Sequence, residues 1–403
     1  MWMHSDLRLW LGLGRLTRRE IRVPQLGERI LRKDEVAGSI LSRPPIFMRL
    51  RSKSATAISL SRDVADAVGQ VPIVRLNRLG APCRTHELYL KLESCNPGGS
   101  IKEKNAVYLI RQALESGQLR PGGTIIESSS GNFGIGLAMV GAALGYKVMI
   151  VVDPKTPPPM RRMLLAYGAQ LVDVPGSEAD AFGSVQGARM KKAEALAREI
   201  PGGWYVCQHL NPANPDAHFE YTAREIEAAF DVLPEVIVVG VSTAGQVTGL
   251  TRYFAERHPH VKFVAVDVAG SAILGTPRHA YKMTGLGLCF APPVFDPGAL
   301  AAAFSVTDQI AFSMCHLLAR KEGLLLGAST GAIVAAGLAC AGEKPKRILM
   351  INPDRGDRYL ETVYNPEWLK AQDIEILEEA ALLDAAMSLK PVPRDVLLRA
   401  QPV

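Results

Sequence analysis

Short runs of apolar and β-branched residues recur along the chain, and longer stretches with helical periodicity separate them. The apolar runs have the length of strands buried on both faces of a sheet; they are Thr124 to Ser128, Gly145 to Asp153, Glu235 to Gly240, Lys262 to Val268, Gly323 to Leu326 and Arg347 to Asp354. The helical stretches are Glu103 to Ser116, Asn132 to Leu144, Met160 to Tyr167, Thr222 to Phe230, Thr248 to Arg257 and Thr307 to Glu322. Because helices alternate with buried strands, the pattern predicts an α/β fold with mostly parallel sheets.

The length and the number of elements predict two α/β lobes. A chain of 403 residues is long for a single lobe. Ligands of such folds bind in clefts at the carboxyl ends of the strands, so we expect a cleft between the lobes. The tail from Asn365 to Val403 predicts one charged amphipathic helix, Leu369 to Leu389, between segments that carry proline.

The net charge of +6 comes from the N-terminal extension. Residues 1–60 contain 12 Lys and Arg against 5 Asp and Glu, whereas the other 343 residues contain 34 against 35. The charges of this basic arm are scattered and not interleaved with aromatic residues, which disfavours nucleic-acid binding. The six cysteines form no C-x-x-C pair, the eight histidines suggest no metal site, and no apolar run could span a membrane. We therefore expect a cytoplasmic protein in a reducing compartment.

Three turns rich in glycine and hydroxyl side chains stand where predicted strands lead into helices. They are Ser129 to Gly134, Ser242 to Gln246 and Gly327 to Gly331. A helix N-terminus offers unpaired N–H groups and a partial positive charge, so each turn could bind an anion. Ordinary helix caps use the same residues, but three such turns in one chain favour ligand binding.

A fourth turn, Asn96 to Ser100, is followed by Lys102 at the start of a predicted helix. The positive end of the helix disfavours the ammonium form of this lysine and favours the neutral amine. A neutral amine is what Schiff-base chemistry with a carbonyl compound requires. A lone lysine after a loop is more often a surface residue, so this turn gains weight only beside the other three.

In order and approximate spacing, these turns resemble the cysteine synthase/cystathionine β-synthase family of fold-type II pyridoxal phosphate enzymes. The resemblance extends over residues 68–362 and includes a family-like opening segment, Val68 to Asn77. It implies a fold like that of the tryptophan synthase β subunit, with pyridoxal 5'-phosphate in the cleft. It also implies four parts: the extension 1–60, a larger cofactor-binding lobe from 61–102 and 214–365, a smaller mobile lobe from 103–213, and a helical tail from 366–403.

The resemblance assigns roles position by position. Lys102 would carry the cofactor as a Schiff base and later take the α-proton, and Asn132 would contact the hydroxyl of the cofactor ring. Ser329 would face the pyridine nitrogen. The phosphate would lie against the loop that contains Ser242, Thr243, Ala244, Gly245 and Gln246, and the substrate carboxylate would contact Ser129, Ser130 and Gln208.

The neutral hydroxyl of Ser329 bears on the type of reaction. A carboxylate at the pyridine nitrogen keeps it protonated and makes the ring a strong electron sink, whereas a hydroxyl does not. A long-lived carbanion is then disfavoured, and loss of the proton is best coupled to departure of a β-substituent. This arrangement favours β-elimination and β-replacement through an aminoacrylate over transamination or racemisation.

Several positions depart from the usual family pattern. Phe133 stands where cysteine synthases usually have threonine, and Lys104 replaces an arginine. The phosphate loop and the turn Gly285 to Cys289 also differ, which indicates a reshaped pocket with an aromatic wall. Arg278 and Lys282, just before that turn, could offer positive charge.

One branch of the family shares several of these features, namely the siderophore-pathway enzymes that join O-phosphoserine to glutamate. The segment Glu127 to Asn132 and the serine and threonine of the phosphate loop resemble that branch. The expected product is N-(2-amino-2-carboxyethyl)-L-glutamate, a precursor of 2,3-diaminopropionate.

Other functions remain open at this point. The first alternative is an O-acetylserine or O-phosphoserine sulfhydrylase that makes cysteine. Cystathionine β-synthase is less favoured because no long regulatory segment follows residue 365. A non-catalytic regulatory homologue is disfavoured by the presence of Lys102 and Ser329. We expect a homodimer that acts on small amino acids, without nucleic-acid or membrane partners.

Overall fold

The computed structural model describes residues 61–80, 82–180, 183–342 and 344–400. The basic arm predicted over residues 1–60 lies outside these ranges. Within them, no helix combines the length and the apolar character that crossing a membrane requires.

The strands of the described residues form two sheets. They are β1 (Ile73–Leu76), β2 (Glu87–Leu92), β3 (Thr124–Ser128), β4 (Lys147–Val152), β5 (Gln170–Asp173), β6 (Gly203–Tyr205), β7 (Val236–Gly240), β8 (Lys262–Val268), β9 (Ala302–Val306) and β10 (Arg347–Asn352). The first sheet has six strands in the order β1-β2-β10-β7-β8-β9, and the second has four in the order β5-β4-β3-β6.

Nearly all neighbouring strands are parallel, as the alternation of helices and strands predicts. Only the pair β1–β2 is antiparallel among the described strands. In the centre of the first sheet, Ile348 lies opposite both Leu88 and Val236, and all three side chains are buried. Continuous apolar runs suit such central strands because helices and loops cover both faces.

The helices pack on both faces of the two sheets. They are α1 (Pro82–Thr85), α2 (Lys102–Glu115), α3 (Asn132–Leu144), α4 (Pro158–Ala166), α5 (Gln186–Glu199), α6 (Asn214–Ala217), α7 (Arg224–Ala229), α8 (Gly245–Arg257), α9 (Asp308–Glu322), α10 (Ala328–Ala339), α11 (Pro366–Ala371), α12 (Glu379–Met387) and α13 (Arg394–Leu398). A π-helical turn, His218–Ala223, joins α6 to α7. Separate hydrophobic clusters cover the faces of each sheet.

The single long helix predicted for the tail is wrong. The tail forms the three short helices α11, α12 and α13. The chain leaves the helical path at Asp373, whose φ is 55°, and the amide of Leu377 then donates to Ser313 Oγ on α9 over 2.9 Å. Ile374, Ile376 and Leu377 pack against the core in this irregular stretch, so tertiary burial replaces helix continuity.

The strand predicted at Gly323 to Leu326 is also wrong. These residues connect α9 to α10, and Gly323 ends α9 in the left-handed region with a φ of 70°. Leu326 makes only an isolated bridge to Arg355. The third glycine-rich turn is therefore a helix-to-helix connection, whereas the turns after β3 and β7 are strand-to-helix junctions as predicted.

Some elements were not predicted. Helix α5 was missed because its mean composition is strongly polar and it lacks an apolar stripe, and the short strands β1, β2, β5, β6 and β9 mix polar with apolar positions. The first sheet takes its strands from residues 73–92 and 236–352, and the second from 124–205. The exact lobe boundaries and the mobility of the smaller lobe stay predictions.

Candidate active site

A cavity of about 660 Å³ lies where loops from the carboxyl ends of both sheets meet. Loops that follow β3, β7 and β10 contribute to its lining, as expected for ligand sites of parallel sheets. Most of the residues singled out from the sequence come together here; those that line the cavity are Lys102, Ser129, Ser130, Asn132, Gln208, Ser242, Thr243, Ala244, Gln246 and Ser329. Their individual roles stay predictions.

The turn before Lys102 is closed by a glutamate that the sequence analysis did not single out. Glu103 is fully buried, and its Oε1 accepts from the amide and the hydroxyl of Ser100 over 2.9 and 2.8 Å. Its Oε2 accepts from the amide of Gly98 over 2.9 Å. Burial raises the pKa of Glu103 to about 7. These bonds fix Lys102 as the first residue of α2.

A buried network of charged side chains contacts the start of the same turn. Lys104 Nζ lies 2.8 Å from Glu93 Oε1 and 2.8 Å from Glu225 Oε2, and Lys91 pairs with both carboxylates. Asn96 at the start of the turn donates to Glu93 Oε2 over 2.9 Å. Lys104, one of the departures from the family pattern, is therefore a buried structural cation and is not among the residues that line the cavity.

Lys102 has the character of a reactive amine. Burial lowers its pKa to about 8, although the nearby Asp354 carboxylate opposes the shift. An ordinary lysine has a pKa near 10.4, so Lys102 offers far more neutral amine near neutral pH. Lys102 is the first residue of α2, as predicted. Its lowered pKa has the direction that the predicted neutral amine requires, and burial is the cause.

The reaction of the apoprotein with pyridoxal phosphate should depend on pH through this amine. Only the neutral form attacks a carbonyl carbon, so the association rate should rise with pH and level off above a midpoint of about 8. Stopped-flow absorbance from pH 6 to pH 10 measures the profile, with N-acetyl-lysine amide as the reference. A midpoint equal to that of the reference amine would contradict the burial of Lys102.

The loop after β3 presents hydroxyls and one amide to the cavity. Ser129 Oγ accepts from the amide of Gly134 over 3.0 Å and so caps α3. Asn132, the first residue of α3, donates from Nδ2 to Asp354 Oδ2 over 2.7 Å. Phe133 lines the cavity as the predicted aromatic wall, but it is only 2% exposed and packs largely into the core beside the second sheet.

The loop after β7 leads into the N-terminus of α8, a helix of 13 residues. Ala244 has a left-handed φ of 60°, which turns the chain into the helix. Gly245 is the one predicted cofactor residue that does not line the cavity. It packs against Asn214, whose Oδ1 would lie 2.1 Å from an added Cβ. Gln246 Nε2 is buried without a hydrogen-bond partner in the described part of the chain.

These residues fit the predicted cofactor. Unpaired amides at the start of α8 and the unpartnered Gln246 amide suit a phosphate group, and the amine of Lys102 suits an aldehyde. Ser329, in the first turn of α10, is 2% exposed and lies under the turn at Gly285, where an added Cβ would be 3.6 Å from Ser329 Oγ. Ser329 therefore lines the cavity as a buried hydroxyl residue, and its contact with the pyridine nitrogen stays a prediction.

A cluster of polar residues in the same cavity was missed in the sequence. Arg189 of α5 is 8% exposed; its Nε lies 3.0 Å from Asp153 Oδ2, and its Nη1 has no hydrogen-bond partner among the described residues. Burial lowers the pKa of His209 to about 3, so its imidazole is neutral. A polar helix without an apolar stripe carries no signal that one of its arginines is buried.

A buried glutamate joins the two segments predicted to hold the substrate carboxylate. Glu127 accepts from the amide of Ser128 over 2.9 Å and from the amide of Gln208 over 3.2 Å. Burial raises its pKa to about 8, so this carboxyl is largely protonated at neutral pH. Glu127 therefore positions both segments without adding a full negative charge beside Arg189.

The charged side chains that line the cavity are mostly cationic. The cations are Lys102, Lys155, Arg189 and Arg278, and Asp153 is the one carboxylate in the described lining. Of the two cations expected beside the turn Gly285 to Cys289, Arg278 lines the cavity and Lys282 does not. The amide of Lys282 donates to Asp308 Oδ2 over 2.7 Å. No cluster that could hold a metal ion occurs among the described residues. The cavity therefore favours ligands with several negative charges.

Residues 64–354 match a family model described as pyridoxal-phosphate dependent enzyme. Among curated proteins, an N-(2-amino-2-carboxyethyl)-L-glutamate synthase from Ralstonia nicotianae is 36% identical over 312 residues, which are 77% of this chain and 91% of that protein.

Solved structures show the same likeness. An O-ureido-L-serine synthase has a TM-score of 0.71 at 33% identity, and the match covers 81% of this chain and 100% of that chain. An O-acetylserine sulfhydrylase from Entamoeba histolytica has a TM-score of 0.74 at 31% identity, and the match covers 82% of this chain and 97% of that chain.

Proposed function

Because this chain belongs to the family of pyridoxal-phosphate-dependent enzymes, we propose that it joins O-phospho-L-serine to L-glutamate. It is a synthase that uses pyridoxal phosphate to replace the β-substituent of a serine derivative. The proposed donor loses inorganic phosphate as its Cβ–O bond breaks. The amino nitrogen of glutamate then forms a bond to Cβ and loses a proton, which gives N-(2-amino-2-carboxyethyl)-L-glutamate.

The observation that carries the proposal is the excess of cations in the cavity. Besides Lys102, whose amine would bind the cofactor, three cationic side chains and a single carboxylate of the described residues line it; one of the three, Arg278, also lies 3.7 Å from Asp180. The cofactor phosphate, the donor phosphate and the three carboxylates of the two substrates together bring many negative charges. Sulfide, the acceptor of a cysteine synthase, needs almost no pocket and no cation for a carboxylate. Cations near the donor also stabilise the negative charge that grows on a departing phosphate.

Arg189 is the best placed of these cations to bind an acceptor carboxylate. Its guanidinium is buried, and its Nη1 has no hydrogen-bond partner among the described residues. A guanidinium presents a planar fork of donors that matches a carboxylate, and such charge-assisted bonds are stronger than neutral ones. The Asp153 carboxylate forms an ion pair with the group, 3.0 Å from Nε, but neither Nε nor Nη1 has a hydrogen-bond partner among the described residues.

Residues of this chain have separate roles in the proposed reaction. When bound, the cofactor supplies the electron sink that makes the α-proton acidic. The amine of Lys102, with its pKa of about 8, would take that proton from Cα and return a proton to Cα after the glutamate nitrogen has bonded to Cβ. We infer that Ser129, Ser130 and Gln208 hold the substrate carboxylate, with Glu127 fixing the amides of their segments. Ser329 keeps the ring nitrogen uncharged, which favours β-replacement.

A competition experiment tests the two substrates. Purified holoenzyme is incubated with equimolar O-phosphoserine and O-acetylserine together with glutamate and sulfide, and the products are quantified by mass spectrometry. We expect the glutamate adduct to dominate, with phosphate released in equal amount. Cysteine as the main product would favour the sulfhydrylase function, to which the likeness with the Entamoeba structure points. No product from any combination would support the non-catalytic alternative.

The proposal also covers the use of the product, the cellular location of the enzyme and its oligomeric state. A product of this kind serves as a precursor of 2,3-diaminopropionate in siderophore biosynthesis, as the resemblance implies. We expect the enzyme to act as a cytoplasmic homodimer.

A further inference from the structure

A small cluster of buried polar residues follows β10; it reaches the cavity directly at Tyr359 and through its contacts with Asn132. Asp354 is 1% exposed, Arg358 is 6% exposed and Tyr359 is 5% exposed. Asp354 itself is not among the residues that line the cavity. Its side chain is directed to Asn132 and Tyr359 instead.

The cluster holds both ends of the Asn132 amide. Nδ2 of Asn132 donates to Asp354 Oδ2 over 2.7 Å, and Oδ1 accepts from Arg358 Nη1. If the amide were flipped, its oxygen would face a carboxylate and its NH₂ group would face a guanidinium. The contact with Arg358 would then be repulsive because a guanidinium only donates, and the contact with Asp354 would be repulsive whenever its carboxyl is ionised. The cluster therefore selects one orientation of the amide.

This orientation determines what Asn132 offers to the cavity. The carbonyl oxygen is directed to Arg358, and one of the two N–H groups is used by Asp354. The second N–H remains, and Asn132 lines the cavity. A ligand atom beside Asn132 therefore meets a donor, which suits an anionic oxygen such as that of the cofactor ring.

The same cluster is bonded to the lysine turn. Arg358 Nη2 donates to the carbonyl oxygen of Gly98, and the amide of Ile101 donates to the carbonyl of Pro353 over 2.8 Å. Helix α3 with Asn132 follows the second sheet, whereas Pro353 to Arg358 follow the first. The cluster thus links the residue predicted to contact the ring to the turn that presents Lys102.

We propose that Asp354 and Arg358 are positioning residues, which hold the Asn132 amide so that its free N–H faces the ring oxygen of the cofactor. The proposal rests on the proposed function, in which pyridoxal phosphate binds in this cavity. It also rests on the contact with the hydroxyl of the cofactor ring that the resemblance implies for Asn132. Its consequence is specific: Asp354 contributes to cofactor affinity through Asn132 and hardly at all by itself.

A double-mutant cycle on cofactor affinity tests this coupling. The dissociation constant of pyridoxal phosphate is measured by equilibrium dialysis for Asp354→Ala, Asn132→Ala and the double variant. We expect Asp354→Ala to weaken binding about tenfold, since a charge-assisted hydrogen bond would be lost. In the Asn132→Ala background the same change should have an effect of less than about twofold.

Two further variants make the result interpretable. Tyr359→Phe removes the other hydrogen bond to the Asp354 carboxylate but leaves both contacts of Asn132, so binding should change less than about threefold. Asp354→Asn keeps the shape of the side chain and one acceptor oxygen, and it replaces Asp354→Ala if that variant does not fold. It should lower the affinity for pyridoxal phosphate less than Asp354→Ala does. In the Asn132→Ala background this loss of affinity should also disappear. Thermal unfolding of each apoprotein checks the fold.

Two results would overturn the proposal. One is an equal loss of affinity from the Asp354 change in both backgrounds, which would mean that Asp354 acts on its own, for example through its charge near Lys102. The other is unchanged affinity in the Asp354 variants. Because only the cofactor is present, the outcome is independent of which donor and acceptor the enzyme uses.

Discussion

Lys102→Ala should lower product formation by a factor of about 10³ or more, because it removes both the group that binds the cofactor covalently and the base for the α-proton. The residue begins α2, lines the cavity and has a pKa lowered to about 8 by burial. Turnover is measured as phosphate released from O-phosphoserine in the presence of glutamate.

Borohydride reduction identifies the attachment site independently of turnover. The native holoenzyme should carry the reduced label on the peptide that contains Lys102, and Lys102→Ala should carry none. Lys155→Ala is the matched control, because Lys155 is another lysine of the same cavity and its loss should leave the label in place. A label found on any lysine other than Lys102 would refute the site as we describe it.

Arg189→Met should raise the KM for glutamate about 10-fold to 100-fold, since a charge-assisted hydrogen bond to a carboxylate is worth about 1.5–3 kcal/mol. Any turnover with sulfide as acceptor should stay within about threefold of the native value, because sulfide has no carboxylate for Arg189 to bind. Steady-state kinetics with each acceptor at saturating O-phosphoserine measures the two effects separately.

Arg189→Met could also lower the stability of the protein, and two control variants separate that effect from the loss of a binding contact. Removing Arg189 leaves the buried Asp153 carboxylate without its ion pair, which costs about 3–5 kcal/mol in comparable sites. Arg189→Lys keeps the charge but loses the planar fork, so it should retain stability and show a smaller rise in KM. Arg161→Met breaks a pair with Asp173 at the protein surface and should leave both KM values unchanged. Equal losses with glutamate and sulfide would exclude an acceptor site at Arg189.

The local signals of this sequence predicted the fold class, the central strands and many of the residues that line the cavity, but not Arg189. Continuous apolar runs predicted the central strands, and those at residues 124–128 and 262–268 agree with β3 and β8 at both ends. Glycine and hydroxyl residues after two of these runs predicted the turns at Ser129 to Gly134 and Ser242 to Gln246. Such signals are reliable because a strand buried on both faces, or a sharp turn before a helix, restricts the residue types that fit locally.

Tertiary structure decided the parts whose local signals are weak or conflicting. The tail has the composition of one helix, but burial of Ile374 to Leu377 against the core divides it into separate helices. The apolar residues Leu324 to Leu326 have the composition of a strand, but no neighbouring strand is available between α9 and α10. In both cases the free energy of packing exceeds a local preference of a few tenths of a kcal/mol per residue, about the size of a helix propensity.

The burial and the pKa values of the charged groups at the site are likewise set by the tertiary structure and cannot be read from the local sequence. Arg189 lies in a polar helix, and nothing in its sequence neighbours separates it from Arg198, the exposed arginine of the same helix. Glu127 and Asp354 likewise have raised pKa values because the folded chain removes water from their carboxyl groups. The sequence by itself determined the fold class and the family, and it predicted Lys102 as the reactive amine; the cationic cavity and the held orientation of Asn132 exist only because distant segments are brought together, and burial then makes their charges strong.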